Sequence, residues 1–205
     1  MLNTPHFQTA STFLSNIDED WAHLITTVGV CTFESKPQRE PYEALIRAVA
    51  YQQLHGKAGD AIIKRFLGVY DNSFPSPTQL LATSFDALRA CGFSARKIET
   101  IQSIAAGALS GLVPSLVDAD AMADEDLITR LVTLKGIGRW TVEMLLMFTL
   151  KRLDVLPADD FAVVEGYKRL KKLDIAPKRK QMVEIAKAWS PHRTVASWYL
   201  WRVPK

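Results

Sequence analysis

The chain has 205 residues, 48% of them apolar and 23% charged, a composition that suits a folded globular protein and excludes a disordered or fibrous one. Two cysteines (Cys31 and Cys91) exclude a disulfide scaffold and a cysteine-ligated cluster, and the four histidines (His6, His23, His55, His192) show no metal-ligand spacing. The net charge of +3 hides an asymmetry: residues 165–205 carry 11 Lys or Arg against 3 Asp or Glu, which fits either a polyanionic partner such as nucleic acid or a solvated helix surface. The amino terminus has neither the basic region nor the apolar run of a signal peptide, and no stretch approaches the roughly 18 apolar residues of a membrane span. An intracellular protein without a membrane is therefore expected.

Helical periodicity runs along the chain, and the class it predicts is all-α. Asp18 to Val30 reads as a helix, while residues before it carry little signal. Between Arg39 and Leu54 the apolar positions 42, 45, 46, 49, 50 and 54 follow a 3.6-residue period. Gly56 then reads as a stop, and Lys57 to Tyr70 as the next helix. Ser76-Pro77 places a capping residue before a first-turn proline, Ser84 caps a short helix ending at Gly92, and Ser94 opens a helix towards Gly111. Asp124–Leu134 and Arg139–Leu150 read as two helices separated only by Lys135-Gly136-Ile137-Gly138. Three more follow at about 160–173, 178–189 and 192–202.

The most specific element is Leu134-Lys-Gly-Ile-Gly-Arg-Trp-Thr141. Two glycines two apart permit a tight turn, and the next helix aims free N–H groups and its positive dipole end there, which makes a phosphate site without side chains. A plain helix–helix corner would use the same glycines; the flanking helices and Arg139-Trp140-Thr141 favour phosphate binding. About twenty residues on stands Asp154-Val-Leu-Pro-Ala-Asp-Asp-Phe161, in which Asp159 or Asp160 also suits the cap of a helix.

A glycine hairpin, a helix and then Asp-x-Leu-Pro-x-x-Asp resembles the helix-hairpin-helix superfamily of DNA repair glycosylases. Lys135-Gly-Ile-Gly-Arg-Trp-Thr141 and Leu156-Pro-Ala-Asp-Asp160 are similar to DNA-3-methyladenine glycosylase II, the alkylated-base branch. Pro41–Leu54, Ala90–Lys97 and Arg193–Trp201 resemble the same branch, so the likeness covers about residues 37–203. It implies two helical lobes with the active-site cleft between them: residues 36–149 with the hairpin motif at about 132–150, and residues 1–35 with 150–205 as the second lobe. The extra amino-terminal sheet domain of some members has no room, which implies the compact form.

The resemblance puts the catalytic aspartate at Asp160 and the base pocket at Trp140, Met144, Phe161 and Trp201. Met144 stands where many members carry an aromatic residue. DNA contacts fall on Gly136, Ile137, Gly138, Arg139 and Thr141, with Gln53 as the wedge that fills the gap of a flipped base. His55 suits either a DNA contact or an exposed loop position, while Trp189 and Trp198 suit the core. Family members hold a monovalent cation (Na⁺ or K⁺) on hairpin carbonyls, here Val132, Leu134 and Ile137, and no other cofactor is required. Trp140 occupies the place of the nucleophilic lysine of strand-cutting relatives, and no cysteine follows Cys91, so neither lyase activity nor an iron–sulfur cluster is implied.

The function implied is a monofunctional glycosylase that releases alkylated purines, 3-methyladenine and 7-methylguanine among them, from double-stranded DNA by base flipping, as a monomer. A glycosylase for ethenoadenine or hypoxanthine, and a non-catalytic DNA-binding protein that keeps the hairpin as a clamp, are the alternatives. The compartment implied is the nucleus in a eukaryote and the cytoplasm or nucleoid in a prokaryote.

Overall fold

The structure, a computed structural model, describes residues 4–54 and 56–204. The described residues form thirteen α-helices and one 3-10 helix, with no strand among them. No described helix is long and apolar enough to cross a membrane. The chain divides into two compact units, one of residues 37–145 and one that joins residues 1–36 to 146–205.

The discontinuous unit opens with α1 (Thr4–Ser15) and α2 (Glu19–Val28) and closes with α11 (Phe161–Leu170), α12 (Arg179–Ile185), the 3-10 turn Ala186–Trp189 and α13 (Arg193–Leu200). Helix α1 is absent from the sequence expectation because its Ser and Thr residues dilute the pattern, yet Phe7, Ala10 and Leu14 are buried at helical spacing. Asp18 caps α2 through the Trp21 N–H, and Trp21 packs edge-on to Trp189 with ring centroids 5.4 Å apart. Trp189 and Trp198 are both buried, as the sequence reading expects. Tyr199 ties the ends together by donating to the Gly29 carbonyl at 3.0 Å. Helices α11 and α13 approach so closely that a Cβ on Gly166 would lie 2.1 Å from the Leu200 carbonyl oxygen.

The continuous unit holds α3 (Pro41–Tyr51), α4 (Gly56–Gly68), α5 (Pro77–Ala82), α6 (Phe85–Ala90), α7 (Ala95–Leu109), α8 (Leu116–Ala121), α9 (Asp124–Leu131) and the larger part, up to Leu145, of α10 (Arg139–Phe148). Gly56 is the first residue of α4 rather than the stop of the helix before it, so α3 ends earlier, at Tyr51. The caps lie where their hydroxyls suggest: Ser76 with a full capping box to Gln79, Ser84 over Ala87 and Ser94 over Lys97. Helix α7 is the spine, with Ile98, Ile101 and Ile104 fully buried at i, i+3 and i+6, each contributing about 1.5–3 kcal/mol by burial.

Candidate functional site

The hairpin joins α9 to α10 through residues 132–138. Its two glycines are unalike. Gly136 sits at φ +81°, and a Cβ there would lie 2.0 Å from Thr100 Oγ1 on α7. Gly138 has open space where its Cβ would stand, and its carbonyl accepts the Thr141 N–H of α10 at 3.0 Å. Gly136 thus lets α7 and the turn meet, and Gly138 leaves the backbone bare at the helix start, where the first N–H groups lack intrahelical partners. Ile137 is buried, and its N–H bonds the Leu134 carbonyl at 3.1 Å.

Two other residues of the motif are turned inward. Thr141 is 1% exposed, and its hydroxyl accepts Gln52 Nε2 at 3.0 Å. The Arg139 guanidinium forms a two-pronged pair with Glu125 and bonds the buried Glu143 at 2.9 Å. Through these side chains Arg139 ties α9 to α10, and Thr141 ties α10 to the turn after α3. Lys135, outside that set, pairs with Glu99 at 2.7 Å on the surface. Trp140 and Met144, both half-buried, lie one turn apart on α10.

The Gln52-Gln53-Leu54 turn follows α3. Gln53 is exposed at φ +56°, a left-handed conformation that few non-glycine residues adopt, and Leu54 is 42% exposed. His55 lies outside the described residues.

In the other unit, residues 151–160 form an irregular segment pinned at both ends. Asp154 takes Arg193 in a bidentate pair at 2.7 and 2.8 Å and Ser190 at 2.8 Å. Burial alone would push its carboxyl up, but these donors, Arg193 foremost, hold it below the usual carboxylate range. At the far end, the Asp160 N–H bonds the Pro157 carbonyl, and the Asp160 side chain caps α11. Its Oδ1 accepts both the Val163 N–H at 2.9 Å and the indole N–H of Trp201 at 3.0 Å. Capping and carboxylate chemistry are therefore compatible in one residue. Asp159 is drawn aside by Arg179 at 2.9 Å, and Phe161 is 79% exposed at the first position of α11.

Trp201 stacks on Phe148, with ring centroids 6.0 Å apart and planes 14° from parallel. The sequence reading casts Trp201 as a surface for a cationic base; the structure adds that its N–H orients the carboxylate. Phe148 is the neighbour that reading omits, since it carries no motif of its own. Trp201→Phe keeps the ring and removes the donor, and we expect single-turnover base excision to fall about tenfold, one charge-assisted hydrogen bond, with the melting temperature little changed. Equal loss of stability and rate would assign Trp201 to packing alone.

The basic stretch near the carboxy terminus is partly spent within the fold: Lys171 bonds Asp18 and Asp20, Arg193 bonds Asp154, and Lys187 bonds Glu184. Lys172, Lys178 and Lys180 remain at the surface.

An all-helical fold with a glycine hairpin and an aspartate held at a helix start defines a class of DNA repair protein. Residues 46–191 match the family model of the HhH-GPD superfamily base excision DNA repair proteins, and the chain belongs to that family. It is 47% identical to DNA-3-methyladenine glycosylase 1 of Schizosaccharomyces pombe over 96% of this chain and 87% of that protein. It is 39% identical to a second protein of that yeast, alkylbase DNA glycosidase-like protein mag2, over 97% of this chain and 94% of the relative. Among solved structures, that of the S. pombe 3-methyladenine DNA glycosylase in complex with abasic DNA superposes with a TM-score of 0.91 at 46% identity, covering 95% of each chain.

Proposed function

We propose that the protein is a monofunctional DNA glycosylase that excises N3- and N7-alkylated purines, 3-methyladenine first among them, from duplex DNA. The observation that carries this is the Asp160 carboxylate, oriented by the start of α11 and by the Trp201 indole, in a chain 47% identical to a named 3-methyladenine glycosylase.

A base stacked in the duplex hides its glycosidic bond, so the target nucleotide must leave the stack. The residue assigned to fill the gap is Gln53; its exposure and φ of +56° support that reading. An alkylated purine is already cationic and leaves without a strong acid; an indole face stabilises it by roughly 0.5–2 kcal/mol, the part assigned to Trp140 and Trp201, with Met144 and Phe161 the other residues assigned to the base. As the C1′–N bond breaks, the sugar gains oxocarbenium character, which the Asp160 carboxylate stabilises. Water adds its oxygen to C1′ and passes its proton to the carboxylate or to solvent, leaving an abasic strand.

Backbone N–H groups at Gly138 and the start of α10 address phosphate, which carries no sequence information. The turn also offers carbonyl oxygens of Val132, Leu134 and Ile137, the hard donors that Na⁺ or K⁺ takes; the Leu134 oxygen already accepts the Ile137 N–H and keeps its second lone pair. A cation there would add positive charge beside the bound phosphate. The enzyme acts as a monomer in the compartment that holds the genome, the nucleus of a eukaryote or the cytoplasm or nucleoid of a prokaryote.

The test is incubation with duplexes carrying 3-methyladenine, 7-methylguanine, ethenoadenine or hypoxanthine, with release of free base measured for each. Release of the alkylated purines is expected; tight binding without any release would leave a non-catalytic clamp. DNA affinity should fall at least tenfold between 50 and 200 mM salt, since each neutralised phosphate contributes a slope of about −0.9 in log–log terms. Borohydride should trap no covalent adduct during turnover, because Trp140 offers no basic nitrogen for a Schiff base. An adduct mapping to any lysine would overturn the monofunctional reading.

A further inference from the structure

The turn after α3 is gripped from two directions by groups that the chemistry above does not use. Lys97, half-buried on α7, donates from its ammonium to the Ala50 carbonyl at 3.0 Å and the Gln52 carbonyl at 2.9 Å. These are carbonyls at the end of α3, where a helix leaves its acceptors unsatisfied and its dipole negative, so a cation with three donors suits the place. Burial pushes the Lys97 ammonium below the ordinary lysine range, a cost accepted for this contact. From the other side, the Gln52 amide donates to the buried Thr141 hydroxyl on α10 at 3.0 Å and lies 3.5 Å from the Gly136 carbonyl. Gln52 is thus fixed through its backbone by α7 and through its side chain by the hairpin. The next residue, Gln53, carries the left-handed φ of +56°, a conformation that persists only where the surroundings over-determine it.

We propose that Lys97 is a positioning residue for base flipping: together with Gln52 it braces the Gln53–Leu54 turn as a rigid wedge and ties that wedge to the phosphate-binding hairpin. The proposal rests on the glycosylase reading given above. A wedge that must keep bases from restacking gains from being ordered before DNA arrives, because a floppy turn would lose part of its contact energy to ordering. The ammonium of Lys97 supplies that order at two carbonyls just before the bend, those of Ala50 and Gln52.

The experiment compares the wild type with Lys97→Met and Lys97→Arg on two duplexes. In one the 3-methyladenine lies opposite thymine; in the other it lies opposite an abasic site, where less pairing must be broken to flip it. Single-turnover excision at saturating enzyme is measured, with the fluorescence of a 2-aminopurine beside the lesion as a direct report of unstacking. Lys97→Met should excise about tenfold more slowly from the paired duplex, less than twofold more slowly from the abasic-opposed one, and bind DNA within about threefold of wild type. Lys97→Arg, whose donors reach the same carbonyls, should restore most of the loss. Gln52→Ala, which leaves Lys97 in place, should show the same substrate split and decides the matter if Lys97→Met does not fold. Equal slowing on both duplexes, or wild-type rates on the paired one, would overturn the brace. Should the wild type release no base at all, the glycosylase reading fails, while the fluorescence contrast between the duplexes still tests the brace.

Discussion

Asp160→Asn is expected to lower single-turnover excision of 3-methyladenine by about 10²–10³-fold, some 2.7–4 kcal/mol of transition-state stabilisation, with DNA affinity and melting temperature close to wild type. The amide oxygen of asparagine can accept the two bonds that Oδ1 accepts now, from the Val163 N–H and the Trp201 indole. The cap of α11 therefore survives, and an N-cap Asn serves about as well as Asp. What disappears is the negative charge beside the developing sugar cation. That separation makes the variant informative: a destabilised protein would assign Asp160 to capping, and unaltered excision would remove it from the chemistry. Asp159→Asn serves as the control, because Asp159 pairs with Arg179 at the surface, and its change should alter excision by less than about twofold.

Much of this arrangement is legible in the chain, for reasons that differ from part to part. Ser76, Ser84 and Ser94 cap the helices they precede because capping is decided within three residues, a distance over which sequence is explicit. The buried isoleucines of α7 follow from periodicity alone. Gly56 misleads because a glycine between two periodic runs suits the end of one helix as well as the start of the next, and the choice depends on the turn at Gln53. The site is legible only at its motif positions. That Asp160 both caps α11 and meets Trp201 requires contacts across 41 residues, and the brace of Lys97 on Gln52 spans 45. No local pattern encodes either. The guanidinium of Arg139 is likewise engaged by Glu125 and the buried Glu143, partners that the motif beside the hairpin does not announce.

Gly136→Ala and Gly138→Ala should separate folding from DNA binding within a single three-residue turn. At position 136 the new methyl group meets Thr100 Oγ1 at 2.0 Å, and the φ of +81° is one that alanine adopts poorly. The left-handed conformation costs about 1–2 kcal/mol and the overlap a further 1–3 kcal/mol. A total near 3 kcal/mol corresponds to a melting temperature lower by about 6–12 °C for a chain of this size. Thr100→Ala removes the nearest overlapping atom, leaving Thr100 Cβ at 3.0 Å, so the double variant should recover part of the loss, a coupling measurable by a thermal double-mutant cycle. At position 138 the same substitution meets no atom within 4 Å, so the melting temperature should stay within about 2 °C of wild type. There the methyl group stands where a phosphate would approach the start of α10, and DNA affinity should fall about fivefold or more. A stable Gly136→Ala protein would show that α7 yields to the hairpin. Unchanged DNA affinity in Gly138→Ala would move the phosphate site away from this turn.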